Sequence, residues 1–390
     1  MTLYEEKQVL EEVLNFKIKE IPDTIRFWMI RTKGGYFYNE FLTKKFVALA
    51  WNNITKDVSL SDTNKDAVID DILLQFENIK RPTTVFNKCK TFIEDIKPGD
   101  VLIIPNKGSS HITFAFAGEY YEEEGKSVAL EKTVIDKIEN GYIQTSDVSC
   151  PYKKRRHIEL ITTVRAERLN IHLYKSISNY HGLSNFDNYA FQILDQLYTC
   201  YAYMNNVRIV FHVSKPDPIG PRELSRMLYG TIDCLAMITD EHKISTQLAL
   251  QSEGDIVFFL QNAFNLLVES KTLLIGLVVL IGGGNFLSVQ LPGVPKIIEN
   301  ILSIKPDVEL KTEEIKKARL ENESLAIDNL NKKYELMEKL KKEGVDIPTL
   351  LADFDQIAKS QQTMQIRPPE NEVLIPSDVT DSEVPEDDEQ

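Results

Sequence analysis

The sequence is poor in the groups that carry familiar chemistry. Its four cysteines, Cys89, Cys150, Cys200 and Cys234, form no CxxC pair, and none stands at metal-ligand spacing from a histidine. That pattern reads as four reduced thiols in a cytosolic protein rather than a zinc or disulfide framework. A secretory leader is also missing. Met1–Leu14 is acidic and helical in pattern, with no positive segment ahead of an apolar one, so the expected location is the cytoplasm. There is no P-loop, no HExxH and no nucleophile elbow. Gly282-Gly283-Gly284-Asn285 follows an apolar run, but no Lys-Ser/Thr comes after it, which argues against a phosphate cradle. The expectation is a protein that recognises and binds, without a catalytic residue, metal or cofactor.

An excess of positive charge is lacking as well. The formal net charge is −14, which argues against a surface that attracts DNA everywhere. The charge is uneven, however. Residues 361–390 hold nine acids against Arg367 alone, a net −8, and leave the body at −6. A local basic face on that body remains compatible with the composition. The acidic tail over 361–390 is polar and Pro-containing and is expected to be disordered.

What is present is enough apolar sequence, 43% of 390 residues, for two or three domains. The expected class is α+β. An amphipathic helix is predicted within 1–20. Short strands follow at Ile25–Ile30, Phe46–Trp51, Val101–Ile104, Ile112–Ala117 and Ile158–Ile161, punctuated by Gly turns and by helices such as Ala67–Phe76. Together they suggest a small mixed β-barrel over 24–169. A small α+β domain is predicted over 186–261, with a helix near Phe191–Tyr198, a strand at Val207–Val213, a helix at Arg222–Ile238 and a strand at Lys243–Gln251. Residues 262–304 read as an apolar helical segment whose core, 271–291, carries no charge beyond Lys271 and suits either a buried or subunit-interface helix or a membrane-inserting one. Residues 309–343 read as a charged, coiled-coil-like helix with the narrow stripe Leu330, Tyr334, Met337 and Leu340. Self-association through 271–342, with recruitment of a protein effector, is the expected role of this part.

Five separated pieces carry a resemblance. Ile25-Arg26-Phe27-Trp28-Met29-Ile30-Arg31-Thr32-Lys33-Gly34-Gly35-Tyr36 is followed by Phe41–Trp51, then Lys97-Pro98-Gly99-Asp100-Val101, Gly108-Ser109-Ser110 and Arg155–Leu160. In this order they resemble the amino-terminal domain of Mrr-type restriction proteins, related to EVE and PUA-like domains. The likeness covers roughly 24–169 and leaves the remainder unmatched. It implies a small barrel with a pocket for a flipped or modified base, and a role in bacterial defence against foreign DNA. The stretch Tyr120–Cys150, with Glu122-Glu123-Glu124, is longer and more acidic than the pattern. The nuclease domain of those proteins would need an acid, a Glu or Gln and a Lys on adjacent strand ends; no such set follows Leu169.

Under that resemblance, Trp28, Tyr36, Trp51, Asn52, Ser109, Ser110 and His111 are the expected base-binding residues, because a base is a flat π surface with a polar edge. Lys153, Lys154, Arg155 and Arg156 are expected to hold phosphates. The competing reading makes Trp28 and Trp51 core residues, the serines ordinary turn residues and the basic run a solvated stretch, with the barrel serving a scaffold protein as an interaction module. An open slot lined by Trp51, Asn52 and Ser109 would favour nucleic-acid or nucleotide binding. A closed barrel with both tryptophans buried would favour the scaffold.

Overall fold

The structure, a computed structural model, describes Glu11 and residues 18–76, 79–143, 149–180, 182–236, 239, 241–250, 254–269, 327–335, 357 and 359–367. The protein is mixed α+β. The chain divides into two compact units, one from Thr24–Leu197 and the other joining Met1–Asp23 to Tyr198–Pro369. The boundary is preceded by a two-residue strand, β1 (Lys19–Glu20).

The first unit is built on six strands. In chain order its elements are β2 (Phe27–Ile30), α1 (Tyr38–Lys44), β3 (Phe46–Leu49), α2 (Lys65–Gln75), α3 (Pro82–Lys90), β4 (Val101–Pro105), β5 (His111–Glu122), α4 (Val128–Glu139), β6 (Lys154–Arg165), α5 (Ile171–Asn179), β7 (Leu183–Asn185) and α6 (Ala190–Leu197). The strand order is β3-β6-β5-β4-β2-β7, a half-barrel. Only β2 and β4 run parallel, and the other pairs are antiparallel. β2, β3 and β4 are continuous apolar runs buried along their whole length, as strands covered on both faces must be. The long β5–β6 ribbon breaks register at Phe114/Ala115 and again at Ala117/Tyr120. Such bulges sharpen local twist and curl the sheet. At the second one, a Cβ on Gly118 would lie 3.0 Å from His157, so glycine permits the close approach.

The turn Lys97-Pro98-Gly99-Asp100 is tied into the core by its own carboxylate. Asp100 accepts the Arg26 N–H at 3.1 Å, the Lys97 N–H at 2.9 Å and the Trp28 indole N–H at 2.9 Å. Trp28 is therefore a buried core tryptophan whose one polar atom is satisfied.

This unit extends past the expected end at residue 169. β7 pairs with β2, and the helix expected near Phe191–Tyr198 forms as α6 within the same unit. Residues 186–197 thus belong with the half-barrel rather than with the following domain. The pairing that decides this joins Leu183–Asn185 to Trp28–Ile30, more than 150 positions apart, and no local pattern announces it.

The second unit adds β8 (Cys200–Tyr203), β9 (Asn206–Val213), α7 (Pro221–Ala236), β10 (Ile244–Leu250), β11 (Gly254–Leu260), α8 (Phe264–Glu269) and β12 (Ile366–Arg367). Its sheet runs β1-β8-β9-β11-β10, with β1 parallel to β8. Residues 19–20, expected at the end of the first helix, are this strand instead. β8 covers β9 only over Asn206–Ile209. β12 continues along β9 at His212–Val213, opposite β11. The tail expected to be disordered from residue 361 therefore begins as ordered chain: Gln361, Met364 and Ile366 are buried, and an open strand edge supplies the partner for Ile366–Arg367.

Among the described residues, no helix is long and apolar enough to cross a membrane. The segment 271–291 lies outside the described residues, as do most of the helix expected over 1–20 and the acidic stretch from 368. Of the helix expected over 309–343, residues 327–335 are described; they are helical, with Tyr334 buried and Leu330 half-buried.

Candidate nucleic-acid interface

The expected base-binding residues separate into an interior tryptophan and two corners of the half-barrel. The first corner follows β3. Trp51 is half-buried and has a φ of +67°, an outlier for a bulky side chain. Three groups hold it there. Glu131, on α4, accepts the Trp51 N–H at 3.0 Å and the Asn52 N–H at 3.2 Å. The Trp51 carbonyl accepts the Ile54 N–H at 3.1 Å and the Lys154 ammonium. Asn52 is buried, and its amide is spent inside the protein: Nδ2 donates to the Pro151 carbonyl at 2.9 Å, and Oδ1 accepts the Lys153 N–H at 2.7 Å. Asn52 fixes the corner and offers no edge to a base.

Glu131 is only 4% exposed, although it lies in the acidic stretch Tyr120–Cys150. α4 forms there because Ser127 caps it, accepting the Leu130 N–H at 3.2 Å. Burial pushes the Glu131 carboxyl above its usual range, against the hydrogen bonds from Trp51 and Asn52 that favour the anion. Burial likewise pulls the Lys154 ammonium down. The same effect raises the Cys89 thiol to about 11 and the Cys150 thiol to about 12, so both are protonated at neutral pH.

The basic run is placed differently from expectation. Lys154 is fully buried, and Arg155 and Arg156 are nearly so. Arg155 donates to the carbonyls of Tyr152 at 3.1 Å and Cys150 at 3.0 Å, and its guanidinium lies 4.2 Å over the Phe46 ring. Arg156 donates to the carbonyls of Phe92 at 2.9 Å, Ile93 at 3.1 Å and Gly118 at 3.1 Å. Phe92 and Ile93 lie in a π-helical turn and Gly118 lies in the bulge, both places where regular backbone pairing fails. Lys153 faces Glu122 at 3.6 Å. The three buried cations thus serve backbone acceptors, Arg155 facing Glu123 as well at 3.3 Å, and are not available to phosphates, because β6 runs between β3 and β5 and carries the run inside.

The second corner gathers Tyr36, Ser109, Ser110 and His111. Gly35 makes this possible. Its φ is +92°, and a Cβ would fall 2.5 Å from the Lys107 backbone, so the 33–36 loop and the Lys107–Ser109 turn pack main chain to main chain. Tyr36 next to it is 38% exposed. Ser109, buried and at a φ of +58°, accepts a hydrogen bond from the Arg31 guanidinium at 2.8 Å. Arg31 also donates to the Tyr180 carbonyl at 3.2 Å and to the Ile177 carbonyl. The Ser110 hydroxyl lies 3.0 Å from Asn106 Nδ2 and 3.2 Å from His111 Nδ1. His111 stands opposite Arg165 in the β5–β6 register. Burial first, and then the Arg165 charge, push the imidazole below its usual pKa, so it is neutral at pH 7. Lys107 and Arg165 are exposed.

α4 reaches toward both corners. Glu131 clamps Trp51, and Glu139, two turns on, pairs with Lys33 at 2.6 Å. Eight residues of helix span about 12 Å. Arg31, Lys107, Glu131 and Tyr180 were not among the expected site residues. Arg31 had a visible signal, an arginine between a buried strand and a Lys-Gly-Gly turn. Tyr180 had none, because it arrives through the pairing of β7.

Among the described residues, no group of three or more His, Cys, Asp or Glu side chains is placed to hold a metal ion. No family model matches the chain, and no curated protein or solved structure is matched by it.

Proposed function

We propose that this protein binds nucleic acid or a nucleotide, modified bases included, at the corner formed by Tyr36, Lys107, Ser109, Ser110 and His111, and acts as a sensor or adaptor. The observation that carries the reading is the backbone seat of Gly35 on Lys107, which brings the loop of the exposed Tyr36 against the turn that leads into Ser110 and His111. A ring supplies stacking, the hydroxyls and imidazole supply hydrogen bonds to a base edge, and Lys107 and Arg165 supply phosphate contacts. Trp51 belongs to the proposal as a second, rigidly held ring. A role in defence rests on the resemblance to Mrr-type proteins alone. Assembly through 271–342 and recruitment of an effector are part of the proposal; of that stretch, 327–335 alone is among the described residues.

The test is a titration of the full-length protein against fluorescein-labelled single-stranded and duplex DNA, RNA and free nucleotides, with and without modified cytosine. Binding that weakens with salt supports the proposal. If no member of the set binds, the proposal is wrong and the scaffold reading takes its place. The burial of Trp28 and of Lys154, Arg155 and Arg156 is what favours that second reading.

A further inference from the structure

Beyond the expected residues, the second corner extends to another exposed ring. Tyr180 is 48% exposed and packs edge-on against Phe186, with ring centroids 5.6 Å apart. Its loop is fixed to β2 by the Arg31 N–H, which donates to the Gly182 carbonyl at 3.1 Å. The Arg31 guanidinium then bridges this loop to the hairpin turn, through the Tyr180 carbonyl on one side and Ser109 Oγ on the other. Lys107 and Gly35 continue the line to Tyr36. Six residues from three loops thus form one strip, with an exposed tyrosine at each end and cationic side chains between.

We infer that this strip is a binding surface for single-stranded nucleic acid, with Tyr36 and Tyr180 each stacking on a base. The inference rests on the function proposed above and names its ligand class. Three observations separate a single strand from a duplex. First, exposed rings contribute by stacking on unpaired bases, whose faces a duplex hides. Second, the tip of the β4–β5 hairpin is flanked by the 33–36 loop through the Gly35–Lys107 contact, so it does not stand free to enter a major groove. Third, the net charge of −14 opposes approach of the dense phosphate array of a duplex, whereas a short strand needs only local cations.

Arg31 has a positioning role here. Its donors are spent on Ser109 and on the carbonyls of Tyr180, Ile177 and Ser178, so it fixes the spacing between the loops. Phosphate contact falls to Lys107 and to Arg165, which stands opposite His111 at the adjoining strand end.

The experiment is fluorescence anisotropy with the full chain, using labelled dT12 and rU12, a 12-base-pair duplex and thymidine monophosphate as competitor. A single-stranded oligomer should bind at least about ten-fold more tightly than the duplex in 0.1 M salt. Tyr36→Ala and Tyr180→Ala should each weaken it by about five-fold or more, while Tyr→Phe at either position keeps most of the affinity. Lys107→Ala should reduce the salt slope by about 0.7. Duplex binding as tight as single-strand binding overturns the inference and leaves the proposed function standing. So does single-strand binding that is indifferent to both Tyr→Ala changes. Failure of every probe here removes the inference, and failure of the wider set above, modified cytosine included, removes the proposed function as well. Tyr36 and Tyr180 are surface residues, so a circular dichroism spectrum matching the unaltered protein is expected for each variant.

Discussion

Replacing Glu131 by alanine tests the corner at Trp51 most directly. The carboxylate accepts two backbone N–H groups, from Trp51 at 3.0 Å and Asn52 at 3.2 Å, and Asn52 is buried. Hydrogen bonds to a charged acceptor contribute about 1.5–3 kcal/mol each, and a buried N–H left without a partner costs about 1–3 kcal/mol. Two terms work the other way. Burial disfavours the Glu131 anion, as its raised pKa shows, and removing it relieves that cost. Trp51 released from its φ of +67° recovers about 1–2 kcal/mol of left-handed strain. The balance is a loss of about 2–4 kcal/mol for Glu131→Ala, with Glu131→Gln in between because it keeps one acceptor oxygen. Urea unfolding followed by tryptophan fluorescence is a selective assay, since the chain has two tryptophans and both lie in the half-barrel unit. Amide exchange at Trp51 and Asn52 should accelerate more than exchange along β4 and β5. A loss below about 0.5 kcal/mol, or unchanged exchange at both amides, would refute the account of Glu131 as the clamp.

Gly35→Ala places a Cβ 2.5 Å from the Lys107 backbone at a φ of +92°; it should cost about 2 kcal/mol or more and weaken oligonucleotide binding by separating Tyr36 from the hairpin turn. Thermal unfolding and anisotropy read the two effects. Arg156→Lys keeps the charge but cannot fork to the carbonyls of Phe92, Ile93 and Gly118, so a loss of about 2–4 kcal/mol in urea unfolding is expected with no change in the salt dependence of binding. A reduced salt slope instead would return Arg156 to the phosphate contacts. Glu40 supplies a pH dependence. Burial would raise its pKa, but hydrogen bonds from Lys44, the Cys150 N–H and Ser149 overcome this and hold it below the usual value. Its folded pKa is therefore below the unfolded one, and its contribution is present above the unfolded carboxylate pKa and lost as pH falls through the folded one. The stability gap between the native protein and Glu40→Gln should close on acidification below about pH 4.5, the ordinary value for this glutamate; a gap that widens refutes the assignment.

Several elements were legible in the amino-acid sequence because their signal is local. Phe27–Ile30, Phe46–Leu49 and Val101–Pro105 are short apolar runs rich in strand formers, and Asn206–Val213 and Ile244–Leu250 stand between turn signals. α7 shows its helical period without reference to any other part of the chain. The mixed α+β class follows from such runs, and so does the nearness of Ser109, Ser110 and His111, which share one turn. What tertiary structure alone decided is which group meets which. Glu131 lies in the acidic stretch Tyr120–Cys150 and shows no sign of burial in the sequence; its role is set by the N–H groups of Trp51 and Asn52 that converge on it. Lys154, Arg155 and Arg156 look like a phosphate-facing patch until their acceptors are seen: the Trp51 carbonyl for Lys154, those of Tyr152 and Cys150 for Arg155, and those of a π-helical turn and a bulge for Arg156. Tyr180 joins Tyr36 only because β7 pairs with β2 across most of the unit. Periodicity encodes the kind of element a segment forms, because that depends on neighbours within a few residues. The partner of a buried charge depends on strand register and on where backbone pairing fails, and for Glu131 with Asn52 and Arg156 with Phe92 that partner lies more than sixty positions away.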